Sequence, residues 1–216
     1  MTVQPLAGAE DRLVRWVRVC AITLVVAGLF FRFTGLGSKV FWWDETHTGR
    51  AIAGSFWPEI VEDIFDGEVQ TRGEILVHQF PREGRTAVTT MKVLVWEDPR
   101  QTPLYFVLAR IWVKVFGSSI VILRAFSAVL SSITVPLAFL LARELFRRSM
   151  EGWIGVGLIA VSPMHLVYAQ EARQYMLWVD LLLLASWLRL LALKQTRELG
   201  RPAGLWFVLY TGAIGL

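Results

Sequence analysis

The stretch Pro103-Leu104-Tyr105-Phe106-Val107-Leu108-Ala109-Arg110-Ile111-Trp112-Val113-Lys114-Val115-Phe116 decides how the rest of the chain must be threaded. A membrane-crossing helix needs about 20 apolar residues, and this run has only about 14. It also carries Arg110 and Lys114 one helical turn apart. An amphipathic segment of that kind lies at the bilayer interface or dips partway into it. Whether it crosses sets the sidedness of everything that follows.

Around it lie the apolar runs expected to span: 13–33, 121–142, 153–169, 175–193 and an incomplete one at 203–216. Three basic clusters flank them: Arg12/Arg15/Arg18, Arg143/Arg147/Arg148 and Lys194/Arg197/Arg201. Were 103–116 a full span, the second cluster would face outward, against the bias of Lys and Arg for the cytoplasmic side. With 103–116 demoted to an interfacial helix, all three clusters fall inside. The N-terminus is then cytoplasmic, a loop over 34–119 lies outside, and Gln170-Glu171-Ala172-Arg173 makes a second, tight outer turn.

Composition agrees with an all-α membrane protein. Hydrophobic residues make up 55% of the chain and ten are tryptophan, a load that a soluble domain of this length could not keep from water. The net charge of +4 comes from Lys and Arg at the ends of apolar runs, which marks membrane orientation and argues against a nucleic-acid partner. Cys20 is the only cysteine, so the outer loop must hold its shape without an intrachain disulfide. The first apolar run is followed by Phe30, Phe31, Arg32 and Phe33 rather than a small-x-small cleavage site, and reads as an uncleaved anchor. Ending inside an apolar run, the chain reads as the N-terminal part of one longer transmembrane domain. Within the outer loop, Asp44 to Phe56 predicts an amphipathic helix with Asp44 as its N-cap, and Pro58 to Phe65 a further helical turn ended at Gly67. Glu74 to Phe80 and Ala87 to Trp96 alternate weakly and are rich in Val, which reads as a small hairpin.

Two outer elements could carry chemistry, Trp43-Asp44-Glu45 and Gln170-Glu171-Ala172-Arg173, and both are expected at one membrane surface. A carboxylate there can deprotonate an acceptor hydroxyl, and an arginine offers a two-pronged donor to the phosphate of a lipid-borne leaving group. Each also has a structural role open to it. Asp44 would cap a helix with Glu45 favouring the helix dipole, and Arg173 would anchor at the interface beside Glu171. His47, three residues after Asp44, shares its helix face; the pair could hold a divalent ion, but neither a metal nor another cofactor is predicted. Asp180 lies inside an apolar run, where a carboxylate is costly and usually paired or functional.

The segments Trp43-Asp44-Glu45, Asp98-Pro99-Arg100-Gln101-Thr102-Pro103-Leu104-Tyr105-Phe106 and Ser162-Pro163-Met164-His165-Leu166-Val167-Tyr168-Ala169-Gln170-Glu171-Ala172-Arg173-Gln174-Tyr175 resemble bacterial polyprenyl-phosphate-sugar glycosyltransferases. That family is similar to protein O-mannosyltransferases and lipid A aminoarabinose transferases, which share the glycosyltransferase C fold. Leu123 to Ala128 and Leu141 to Phe146 also match its habits, and the likeness runs from about Ala21 to the end. The resemblance implies an inverting hexosyl- or pentosyltransferase of the plasma (inner) membrane, working on the outer face. It implies a polyprenyl-phosphate-linked sugar donor, and an acceptor that is a glycan, lipid or protein. It implies Asp44 as general base with Glu45 in support, and Arg124 and Arg173 at the donor phosphate. Glu171, Tyr105, Asp180 and His47 form a second tier. The family usually has His-Pro before Pro-Leu-Tyr, where this chain has Gln101-Thr102. Rival functions are a membrane scaffold without catalysis and a transporter subunit; against the latter stands the lack of paired, broken spans, although Pro136 and Pro163 interrupt two of them.

The sidedness is testable. In a Cys20→Ala background, cysteines at positions 44 and 173 should react with an impermeant thiol reagent from outside, and a cysteine at 147 should not. External labelling at 147 would overturn the topology.

Overall fold

The computed structural model describes residues 7–147, 149–199 and 204–215, and every regular element among them is a helix. In chain order these are α1 (Ala7–Phe33), α2 (Trp43–Ala53), α3 (Trp57–Ile64), α4 (Arg72–Val77), α5 (Ala87–Glu97), α6 (Pro103–Phe116), α7 (Ile120–Phe146), α8 (Ser149–Val161), α9 (Pro163–Ala169), α10 (Tyr175–Leu199) and α11 (Gly204–Gly215). Arg148, Arg201, Ala203 and Leu216 lie outside the described residues. Three helical stretches are long and apolar enough to cross a membrane, Asp11–Phe33, Ile120–Phe146 and Tyr175–Arg197. The pair α8 and α9 adds a fourth apolar segment, bent by 56°. The protein is thus an all-α membrane protein.

The chain divides into two compact units. The first comprises Met1–Thr34, Val129–Ala169 and Met176–Leu216, and so holds most of the long apolar helices, α7 from Val129 onward. Its internal order turns on one buried cation. Pro163 has no N–H, so the carbonyl of Ile159 loses its helical partner and the helix breaks between α8 and α9. Arg32, with no exposed surface, donates from Nη1 to the Ala160 carbonyl (2.7 Å), from Nη2 to that of Ile159 (3.3 Å) and from Nε to Ser131 Oγ (2.9 Å). The Ile159 carbonyl also accepts from Ser162 N (3.4 Å), so it is the Ala160 carbonyl that Arg32 chiefly satisfies, a group that in hydrocarbon would otherwise cost several kcal/mol. Gly28 makes this reach feasible: a Cβ there would lie 2.1 Å from the Ala160 carbonyl oxygen, so only glycine lets α1 approach so near to α8. Thr134 of α7 donates to Asp180 Oδ1 of α10 (2.6 Å), and Lys194 pairs with Glu144 (2.7 Å).

The second unit comprises Gly35–Ala128 and Gln170–Tyr175. It corrects three expectations. Residues 74–80 and 87–96 form no hairpin; they fall largely within α4 and α5. Thr71 and Glu74 close a reciprocal capping box, with Thr71 N donating to Glu74 Oε2 (2.6 Å) and Glu74 N to Thr71 Oγ1 (3.4 Å). In α5 the buried side chains are Thr90, Val93 and Leu94, a helical spacing that outweighs the local alternation of valines. Asp44 is not the N-cap of α2. Trp42 occupies that position and its carbonyl accepts from Thr46 N (3.1 Å), which leaves Asp44 and Glu45 in the first turn, where they favour the helix dipole. Arg110, expected on a wet interfacial face with Lys114, is 1% exposed and donates to the carbonyls of Ile52 and Arg85, while Lys114 is exposed. Tyr105, Phe106, Ala109, Arg110 and Val113 form the buried face of α6, which packs on α2 and α5.

Arg32→Met should lower the stability of the protein in detergent by about 1–3 kcal/mol, since the Ala160 carbonyl loses its donor. Thermal unfolding against an Arg15→Met control, where the side chain is exposed, measures it. Equal midpoints for the two variants would show that the break does not need its cation.

Candidate functional site

The second unit brings together the two elements that the sequence singled out. Its anchor is Glu45, which has no exposed surface. Arg124 Nε donates to Glu45 Oε1 (2.8 Å) and Nη2 to Oε2 (2.6 Å), a side-by-side pairing of fork and carboxylate. The backbone N–H of Ala172 donates to the same Oε1 (2.9 Å). One carboxylate therefore ties α2 both to α7 and to the turn at 170–175. The remaining Arg124 protons go to carbonyls: Nη1 to Leu36 (2.7 Å) and Lys39 (3.1 Å), Nη2 to Val40 (2.9 Å). A guanidinium has five N–H groups, and all five are engaged. A phosphate could reach Arg124 only by displacing one of these acceptors.

Arg173 differs. It is 7% exposed and donates from Nη1 to the backbone carbonyl of Asp44 (3.2 Å), with its guanidinium over the Tyr175 ring at 5.8 Å. Its Nε is buried with no hydrogen-bond partner. Behind it, Ser127 Oγ donates to the Arg173 carbonyl (3.5 Å) and shares a hydrogen bond with Tyr105 Oη (2.9 Å). Tyr105 is wholly buried, which pushes its hydroxyl well above the usual range and keeps it protonated. It works as a post that fixes the backbone of the turn.

Three carboxyl groups lie in this unit at the same place. Asp44 is half-buried, and no hydrogen bond or ion pair engages its carboxylate among the described residues. Glu171 is raised above the ordinary glutamate range, chiefly by burial and then by repulsion from Glu45 and Asp44, with Lys39 and Arg124 opposing. Its Oε2 is buried and without a partner. His47 packs edge-on against Trp43, ring centroids 4.9 Å apart. Burial, followed by the charge of Arg50, lowers its pKa against the pull of Asp98 and Asp44, so the ring is neutral at pH 7. No group of three His, Cys, Asp or Glu side chains suited to a metal occurs among the described residues.

Asp44, Glu45, His47, Tyr105, Arg124, Glu171 and Arg173 all belong to this second unit. Asp180 does not: it belongs to the first unit, bonded to Thr134 through one oxygen, with Oδ2 buried and unpartnered. Sequence reasoning passed over the pair Gln174–Gln101, whose side chains are hydrogen-bonded. The signal was there in Gln101, which stands where the resembling family has His.

Glu45→Ala should cost about 3–5 kcal/mol, the usual penalty for leaving a buried guanidinium without its counter-charge. Unfolding in detergent, together with faster proteolysis within 35–42, would register it. A loss below about 1 kcal/mol would mean that the pair does not organise the unit.

Residues 100–215 match the family model of dolichyl-phosphate-mannose-protein mannosyltransferases. None of the curated proteins and none of the solved structures compared with the chain matches it. The matched residues include Tyr105, Arg124, Glu171, Arg173 and Asp180, while Asp44, Glu45 and His47 precede them. With more than half its length in that match, the chain belongs to the dolichyl-phosphate-mannose-protein mannosyltransferase family, whose members are membrane glycosyltransferases that draw on a lipid-linked sugar.

Proposed function

We propose that this protein transfers a sugar, with inversion, from a polyprenyl-phosphate carrier to an acceptor hydroxyl at the outer face of the membrane, and that Asp44 is the general base. The observation that carries this reading is the contrast between neighbours in one helical turn. Glu45 is committed to Arg124 and Ala172, whereas the carboxylate of Asp44 is unengaged beside an arginine with an unused N–H.

Asp44 takes the acceptor proton as the acceptor oxygen attacks the anomeric carbon from the face opposite the phosphate. The bond between that carbon and the phosphate oxygen breaks, and polyprenyl phosphate departs with the electron pair. Arg173 receives the charge that grows on the phosphate, using the Nε–H that has no acceptor in the free protein. Arg124, with all its protons engaged, takes the role of a positioning residue that holds Glu45 and the start of α2. Glu45 supports the base by fixing the backbone around it. Tyr105 supports Arg173 through Ser127.

The test is donor turnover in membranes carrying the protein, read as release of polyprenyl phosphate from a labelled polyprenyl-phosphate sugar. Asp44→Asn should slow turnover by about a hundred- to ten-thousand-fold, the range for a lost general base. Its unfolding midpoint should hardly move, because the carboxylate makes no bond that the amide would lose. Arg173→Gln should raise the donor concentration needed for half-maximal rate. Near-normal turnover by Asp44→Asn would overturn the assignment and pass the base to Glu171, whose raised pKa suits a proton carrier.

A further inference from the structure

In the first unit, α1 and α8 lie closest at Gly28 and Ala160. At Gly157 the contact is looser, with an added Cβ falling 3.3 Å from Leu24 Cδ1 and 3.6 Å from Ala21 Cα. Toward the start of both helices the seam opens into a groove of about 310 Å³. Trp16, Val17, Cys20, Leu24, Trp153 and Leu158 are among its walls, and apart from the thiol and the indole N–H groups the lining is hydrocarbon. That volume is at the lower end of small-molecule sites. Because α1 is apolar and long enough to cross a membrane, what meets this groove is lipid rather than water.

One cation stands over a ring that lines the groove, and a second over the ring packed against that one. The guanidinium of Arg18 lies 5.7 Å over the ring of Trp153, which packs against Phe139 at 5.0 Å, and Arg143 lies 5.9 Å over that Phe139 ring. Both arginines are exposed, and neither has a carboxylate partner among the described residues. Nearby Glu144 is already taken by Lys194. An apolar slot with one guanidinium on its aromatic wall and a second on the ring packed against that wall matches a hydrocarbon chain that ends in a phosphate.

We propose that the α1–α8 groove seats one chain of an anionic phospholipid from the leaflet on the Arg18 side, with its phosphate held by Arg18 and Arg143. Arginine on an aromatic face keeps its edge free for the two-pronged contact that a phosphate accepts. A zwitterionic headgroup would bring its own ammonium against the same two cations and lose most of the attraction.

Cys20, the only cysteine of the chain, lines the groove and is exposed, so it reports occupancy directly. The protein is placed in phosphatidylcholine nanodiscs, and Cys20 is modified with a neutral, lipid-soluble maleimide. Replacing part of the lipid with phosphatidylglycerol should slow modification by about fivefold, the factor that corresponds to one cation against an anionic headgroup. Arg18→Gln/Arg143→Gln should abolish that protection while leaving the rate in phosphatidylcholine unchanged. Equal rates in the two lipids would overturn the proposal, as would protection that persists in the double variant. Failure of Cys20 to react in pure phosphatidylcholine would also overturn it, by showing that protein covers the groove. Polyprenyl phosphate protecting at lower mole fraction than phosphatidylglycerol would give the groove to the carrier lipid instead.

Discussion

Taking a carboxylate and a guanidinium out of water is unfavourable for each alone, and Glu45 and Arg124 are both sealed from solvent. What makes the burial tolerable is completeness. Every N–H of Arg124 has an acceptor, and Glu45 accepts from the backbone of Ala172 as well as from the guanidinium. The pair draws segments 36–45, the start of α7 and the turn at 170–175 into a single arrangement. Asp44 and Arg173 inherit their positions from it. The Asp44 carboxylate makes no bond of its own among the described residues, and Arg173 gives one donor to the Asp44 carbonyl but none from Nε, which leaves both with capacity to spare.

Arginine recurs wherever the interior must satisfy stray carbonyls. Arg32, Arg110 and Arg124 are among the largest fully buried side chains, and each spends its protons mainly on backbone oxygens. Arg32 does so at a proline-made break between two apolar helices, Arg110 at the carbonyls of Ile52 and Arg85, and Arg124 ahead of α2. Lysine could not substitute at such places. Its ammonium concentrates charge at one point, whereas the planar fork spreads donors over several acceptors and is less strongly hydrated, so less is lost on burial.

Adjacent residues in a helix point about 100° apart, and this alone separates the fates of Asp44 and Glu45. One face of the first turn of α2 looks into the unit and the next looks outward. The inward carboxylate becomes structural and the outward one is free to meet a ligand. Glu171 feels both. Partly buried, and then repelled by the two other carboxyls, it holds its proton more firmly than an isolated glutamate, and it gives the site a second group able to handle a proton.

Hydropathy and basic clusters were enough to read an all-α membrane protein, and the resemblance of a few segments to known glycosyltransferases pointed to the family, while the residues themselves pointed to the two elements that meet at the site. Those are local properties, summed along the chain, and they survive without knowledge of contacts. What the sequence misjudged was local in a different sense. The valines of 87–96 alternate, yet Thr90, Val93 and Leu94 turn inward together because a neighbouring helix rewards the helical period. Arg110 looked like an interfacial cation until the carbonyls of Ile52 and Arg85 came to it from far along the chain. Nothing in sequence order could separate Arg124, saturated, from Arg173, with an N–H to spare. The acceptors that make the difference lie 79 to 88 residues from Arg124 and 129 from Arg173, and hydrogen-bond capacity is used up only when folding brings them into place.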